Sequence, residues 1–164
     1  MDIDFDSLDP ALIEHAKKII DEATALREDR ISYRVLIKEY KPRWEREAQR
    51  IINKTLNKPI ALLGKDSGYV PARGAEWVCV CDLLDGSLNF VCGLKYYAYS
   101  VALAHKKDFV YGLVIDLHDM IVYRAVKGQG AFMKNIKNET TVDLSEMRRE
   151  IPDSYDMETI NVKA

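Results

Sequence analysis

The chain has 164 residues, with 24 Lys and Arg against 26 Asp and Glu for a formal net charge of -2, which argues against nucleic acid as a main partner. Hydrophobic residues at 48% and charged residues at 30% describe a globular domain, not a disordered chain, long enough to bury roughly two thirds of its unfolded surface. No apolar run approaches a membrane span, and the acidic start Met1-Asp2-Ile3-Asp4-Phe5-Asp6 lacks the charge and core of a signal peptide, so a cytoplasmic protein is expected.

Ser7 or Asp9 is placed to cap a first helix with Pro10 in its first turn. Leu12, Ile13, Ala16, Ile19, Ile20, Ala23 and Leu26 follow at helical spacing, so one face of it is core. In the next stretch Ile31, Tyr33, Val35 and Ile37 alternate as in a half-buried strand, but a continued helix fits the same residues, and both readings stand. Pro42 opens a second helix with an apolar stripe of Trp44, Ala48, Ile51, Ile52 and Leu56, stopped at Asn57-Lys58-Pro59.

A short strand, Ile60 to Leu63, leads to Gly64-Lys65-Asp66-Ser67-Gly68. Trp77 to Cys81 has the length and β-branched composition of a buried strand. Lys95 to Ala104 and Val110 to Ile115 read as strands joined by a hairpin at Lys106-Lys107-Asp108, with a third from Met120 to Val126. Gly128-Gln129-Gly130 is a tight turn in a meander, since no Lys-Ser/Thr follows as in a phosphate loop. Beyond it come a strand-like Thr140-Thr141-Val142, a short charged helix candidate from Ser145 to Glu150 and a polar end.

Cys79, Cys81 and Cys92 form no zinc pattern with one another or with histidine and are expected as small buried hydrophobes. His15, His105 and His118 share no spacing and are expected at the surface or rim.

Chemistry concentrates in Asp82-Leu83-Leu84-Asp85-Gly86-Ser87. Two carboxylates converging where a strand turns repel one another unless a cation lies between them, and oxygen-only donors select hard ions, magnesium first. The Leu84 carbonyl is a candidate third oxygen. Gly86 admits close approach of a ligand, and the amides from Gly86 to Leu88 form an anion site if they open a helix. The bland alternative makes Asp82 a helix cap and Asp85-Gly86 a simple turn, as most Asp-Gly pairs are.

The neighbouring order decides between these. Asn89-Phe90-Val91-Cys92-Gly93, Tyr99 to Leu103, Gly112 to Asp116 and Gly128 to Phe132 follow in sequence, and from about Leu62 to Asn135 the chain resembles the inositol monophosphatase and fructose bisphosphatase superfamily. That family's central motif, Asp-Pro-Ile/Leu-Asp-Gly-Thr/Ser-x-Asn-Phe, stands here as Asp82 to Phe90 with Leu83 in place of the proline. The resemblance implies an α+β fold: an antiparallel sheet packed against two N-terminal helices, the N-terminal domain over residues 1–134, with a partly ordered tail at 135–164 and the family's second domain absent.

The resemblance also implies a magnesium-dependent phosphomonoesterase. In it Asp82, Asp85 and the Leu84 carbonyl hold metal, Ser87 helps align the attacking water, and the Gly86 and Ser87 amides bind phosphate. Two positions depart. Where the family has Gly-Glu-Glu, with the first glutamate a metal ligand, this chain has Gly64-Lys65-Asp66. Either the Lys65 ammonium occupies part of the metal's place, or Lys65 turns to solvent while Asp66 takes a shifted water-orienting role. Where the family carries an aspartate in the second helix this chain has Glu45, for which a solvated and a functional role are both open.

The expectation is therefore a truncated magnesium-dependent phosphatase acting on a small phosphorylated metabolite of the sugar or inositol phosphate class. The alternatives are a non-catalytic phosphate-ligand-binding or interaction protein of phosphatase descent, and a half-enzyme completed by another chain. A homodimer or partner chain is expected to cover apolar residues such as Val114, Ile121, Val122, Phe132 and Met133.

Overall fold

The computed structural model describes residues 4–144. Helix α1, Leu8–Glu28, buries Leu8, Leu12, His15, Ala16, Ile19 and Ala23, a three-and-four spacing that makes one continuous stripe. Neither Ser7 nor Asp9 caps it. Ser7 has helical backbone angles and makes no side-chain cap. The Asp9 carboxylate turns to the sheet, accepting the Tyr111 hydroxyl at 2.7 Å and pairing with Arg124 Nε at 2.7 Å.

The stretch left open between strand and helix is helical. The Ser32 hydroxyl accepts the Val35 amide and starts α2, Tyr33–Val35, and a π-helical turn, Leu36–Tyr40, runs directly into α3, Lys41–Leu56. None of the alternating Ile31, Tyr33, Val35 and Ile37 is fully buried, and the segment's buried side chain is Leu36, out of step with them, so no strand face is covered and the cap prevails. Helix α3 ends in the left-handed residue Asn57, φ 50°, a common helix stop.

The strands are β1 (Ile60–Gly64), β2 (Gly68–Val70), β3 (Trp77–Asp85), β4 (Ala98–His105), β5 (Asp108–Asp116), β6 (Ile121–Val126), β7 (Gly130–Asn135) and β8 (Thr141–Asp143), with a short helix α4, Ser87–Val91, after β3. They form a single sheet in the order β2-β1-β3-β4-β5-β6-β7-β8. Neighbours are antiparallel except β1 and β3, which run parallel with Gly64 opposite Cys81. Helices α1 and α3 cover one face. Leu12, Ile19, Trp44, Ile52, Leu62, Cys79, Tyr99 and Leu113 fill the layer between, each large aliphatic contributing about 1.5–3 kcal/mol on burial.

The other face of the sheet carries exposed Leu63, Val114 and Tyr123. Of the residues expected to be apolar and exposed, Val114 is exposed, Ile121, Phe132 and Met133 are half-buried, and Val122 is buried. Strand β8 adds the Thr140-Thr141-Val142 region to the sheet edge, whereas the helix candidate Ser145 to Glu150 lies outside the described residues.

Two readings of single residues are corrected. Cys92 is exposed, beyond the end of α4, while Cys79 and Cys81 are buried as expected. His15 is buried, because it sits at the third position after Leu12 and the fourth before Ile19, on the core stripe itself.

Candidate active site

The site forms where three chain segments meet. Because β1 and β3 are parallel and paired to the end of β1, the Lys65 amide donates to the Cys81 carbonyl at 3.0 Å, and the turn Lys65-Asp66-Ser67 lands beside Asp82. The pairing of β3 with β4 is irregular between Asp82 and Asp85. Leu83 and Leu84 are both buried there, and the two carboxylates emerge toward the same ammonium. Lys65 Nζ lies 2.7 Å from Asp82 Oδ2 and 3.6 Å from Asp85 Oδ1.

Helix α3 brings a second ammonium. Lys41 Nζ is 2.8 Å from Asp66 Oδ2 and 3.1 Å from Asp82 Oδ1, and the Lys41 side chain is only 1% exposed against 59% for Lys65. Glu45, one turn on, is wholly buried. Its carboxylate accepts the Asp66 amide at 3.0 Å and the Ser67 amide at 2.6 Å, and the Ser67 hydroxyl donates to the Pro42 carbonyl at 3.2 Å. A Cβ on Gly64 would overlap the Glu45 carboxylate, so glycine there is what lets α3 sit this close. The solvated alternative for Glu45 does not hold; its role is to anchor the turn.

Burial alone would push the Asp82 carboxyl up, but the Lys65 hydrogen bond and the Lys41 charge outweigh it and hold it below the usual carboxylate range. The Asp82 hydrogen bond correspondingly raises the Lys65 ammonium. Three carboxylates, of Asp66, Asp82 and Asp85, meet the two ammoniums, and the Glu45 carboxylate stands behind them on the amides of the turn.

On the far side of the turn Gly86 has φ 73°, and a Cβ there would run into the Tyr96 carbonyl oxygen. Its amide donates to Asp85 Oδ1 at 3.0 Å, and the hydroxyl of the buried Ser87 lies 3.2 Å from the Tyr33 hydroxyl. Arg27 Nη1 donates to the Phe90 carbonyl at 3.0 Å and its guanidinium stacks over the Phe90 ring, tying α4 to α1.

The structure therefore brings together Lys65, Asp66, Asp82 and Asp85, with Gly86 and Ser87 at the adjoining turn. The residue that sequence reasoning missed is Lys41. Its signal is nonetheless present: Lys41, Glu45, Ala48 and Ile52 fall at intervals of four, three and four residues, so the buried stripe of α3 begins with two charged positions.

A divalent ion does not fit these side chains as they stand. The point between Asp82 and Asp85 is taken by the Lys65 ammonium, the point between Asp66 and Asp82 by that of Lys41. Among the described residues no group of three or more His, Cys, Asp or Glu is arranged to hold a metal ion.

The inositol monophosphatase family profile matches residues 9–160. The chain belongs to the inositol monophosphatase family. That family is generally metal-dependent and acts on phosphorylated sugars and inositol phosphates. Among its relatives, the fructose-1,6-bisphosphatase/inositol-1-monophosphatase of Methanocaldococcus jannaschii is 30% identical over 84 residues, which is 51% of this chain and 32% of that protein. The Nus factor SuhB of Pseudomonas aeruginosa is 30% identical over 99 residues, 57% of this chain and 36% of that protein. The solved inositol monophosphatase II of Staphylococcus aureus superposes with a TM-score of 0.59 at 25% identity, over 77% of this chain and 46% of its own. The chain thus spans about a third of the curated relatives it matches, and family membership carries the fold and the motif while leaving the activity of this chain open.

Proposed function

We propose that this chain is a non-catalytic member of the inositol monophosphatase family that works by interaction with another protein surface. The observation that supports it is the Lys65 ammonium 2.7 Å from Asp82 and 3.6 Å from Asp85, the place where a cation shared by those carboxylates would lie. A positive charge there repels a divalent ion instead of ligating it. The hydroxyl of Ser87 and the amide of Gly86 have partners within the protein, which counts against a ready phosphate cradle. The uncovered face of the sheet, with a groove of about 530 Å³ running from Lys65 and Asp82 past Val80, Ala102 and Val114, suits a second copy of this chain or a partner chain. The relatives named Nus factor SuhB carry a name that is not an enzyme's.

A second reading, the magnesium-dependent phosphomonoesterase, is favoured by the exposure of Lys65, whose long stem is free to swing into solvent. Asp82, Asp85 and the Leu84 carbonyl would then hold magnesium, Asp66 and Ser87 would align water, and the Gly86 and Ser87 amides would receive the phosphate. Hydrolysis of inositol monophosphate and fructose 1,6-bisphosphate in excess magnesium separates the two. No turnover above that of Asp85→Asn is expected, and magnesium-dependent turnover lost in Asp85→Asn would establish the phosphatase. Sedimentation of the purified chain reads the partner claim, with a dimer expected and a monomer of 18.8 kDa opposing self-association.

A further inference from the structure

We propose that Lys41 is a resident cation, built into the fold between Asp66 and Asp82 in place of a divalent ion, and that it makes the folded site independent of metal. The inference goes beyond the non-catalytic reading and survives if that reading fails, because it concerns the buried half of the cluster and not the exposed pair of Lys65 and Asp85.

Three observations lead to it. Lys41 opens α3 directly after the π-helical turn, its amide already donating to the Leu36 carbonyl, so no free helix end calls for a charge at this position. Its ammonium is buried at 2.8 Å from Asp66 Oδ2 and 3.1 Å from Asp82 Oδ1. Both of those oxygens are buried and neither receives a hydrogen bond of good geometry from any group; what compensates their charge is the ammonium. Two buried carboxylate oxygens aimed at one point need a positive charge at that point, and removing it leaves them uncompensated.

The same ammonium joins three segments. Asp66 belongs to the turn after β1, Asp82 to the end of β3 and Lys41 to the start of α3, and the Glu45 carboxylate and the Ser67 hydroxyl fasten the turn to α3 from the other side. A divalent ion at this position would have to expel a lysine that is enclosed on all sides. At Lys65 it would only have to turn aside an exposed stem. Any divalent ion the protein accepts is therefore confined to the side of Asp82 that faces Asp85.

The test is thermal unfolding of the whole chain with magnesium or with EDTA. In the unaltered protein Tm is expected to be the same in both. Lys41→Met is expected to lower Tm on the order of 10 °C, with millimolar magnesium or calcium restoring part of the loss. Lys41→Met combined with Asp66→Asn, which removes one of the stranded charges, is expected to recover most of it without metal. If Lys41→Met alone does not fold, the double variant carries the test, and its failure to fold as well would overturn the proposal. So would a Lys41→Met protein as stable as the parent, or a parent stabilised by magnesium as strongly as the variant. Phosphatase activity in the unaltered chain would defeat the non-catalytic reading and would bring a magnesium response of its own from the Asp82 and Asp85 side; the loss in Lys41→Met and its recovery by Asp66→Asn, both read in EDTA, would still decide this proposal.

Discussion

Two groups of titratable side chains are buried against the sheet, and the protein keeps them by opposite means. At the end of β3 the carboxylate of Asp82 stays ionised because two ammoniums meet it. Under the middle of α1, His15 Nδ1 lies 3.1 Å from the Tyr99 hydroxyl and Nε2 is 3.8 Å from Glu47. Burial there pushes the imidazole down to about 4, against the opposing pull of Glu47. The difference lies in how many opposite charges each group can claim. Glu47 also serves Lys18, so it is a shared partner, and a shared partner does not offset desolvation. Asp82 has two cations and stays charged; His15 has part of one anion and stays neutral.

The strongest way to break the charged group is at its anchor. Glu45→Ala removes the acceptor of two buried amides and is expected to cost about 3–4 kcal/mol, read as a lower denaturation midpoint in urea with an unchanged slope. If the loss were below about 1 kcal/mol, water would be replacing the carboxylate and the site would be less dry than the packing of Gly64 against Glu45 implies.

The neutral group is broken by acid. The unfolded chain takes up a proton at His15 near its ordinary value of 6.5, while the folded protein does so only near 4. Below about pH 6.5 the unfolded state therefore binds more protons, and stability falls as pH drops toward 4, by about 2 kcal/mol at pH 5. The depressed Asp82 carboxyl acts in the same direction below the ordinary carboxylate range. His15→Gln should flatten the profile between pH 7 and 5 in equilibrium denaturation; an unchanged slope would place the loss elsewhere.

Smaller effects sharpen the contrast. Tyr99→Phe removes the hydroxyl facing His15 and is expected to cost about 1 kcal/mol, with the acid sensitivity retained because burial causes it. Lys65→Ala is expected to shift stability by less than about 1 kcal/mol, since Lys65 and Asp85 are both exposed. Lys65→Glu is expected to raise magnesium affinity, measured by calorimetry, and an unchanged affinity would mean that Lys65 does not guard the carboxylate pair.

Much of this was legible in the residues. The apolar run into Asp82 and Asp85 marked both the strand and its acidic end, and Lys65 was readable as a departure opposed to metal. The rest was missed for one reason, at His15 and Lys41, and the same reason left Glu45 open. All three sit on the buried stripes of α1 and α3, yet a charged or titratable residue on a stripe reads as an interruption of it. Only the partner across the gap, Tyr99 or the Asp66-Ser67 turn, turns an interruption into a buried bond, and that partner is distant in sequence. Asp9 failed likewise: a helix start suited it locally, and Tyr111 and Arg124 were better partners.

The parallel pairing of β1 with β3 also sets an order in time. Parallel neighbours cannot close through a tight hairpin; here the chain must first run out through β2 and back, from Lys65 to Glu76, before Gly64 meets Cys81. The antiparallel meander from β4 to β7 has no such delay, its strands being joined by short turns. Loop closure thus favours the meander as the first part to form, with the junction of Lys41, Asp66 and Asp82 among the last contacts made. Substitutions at that junction are expected to hasten unfolding and leave the refolding rate nearly untouched, so Lys41 acts as a latch on a sheet that has already assembled.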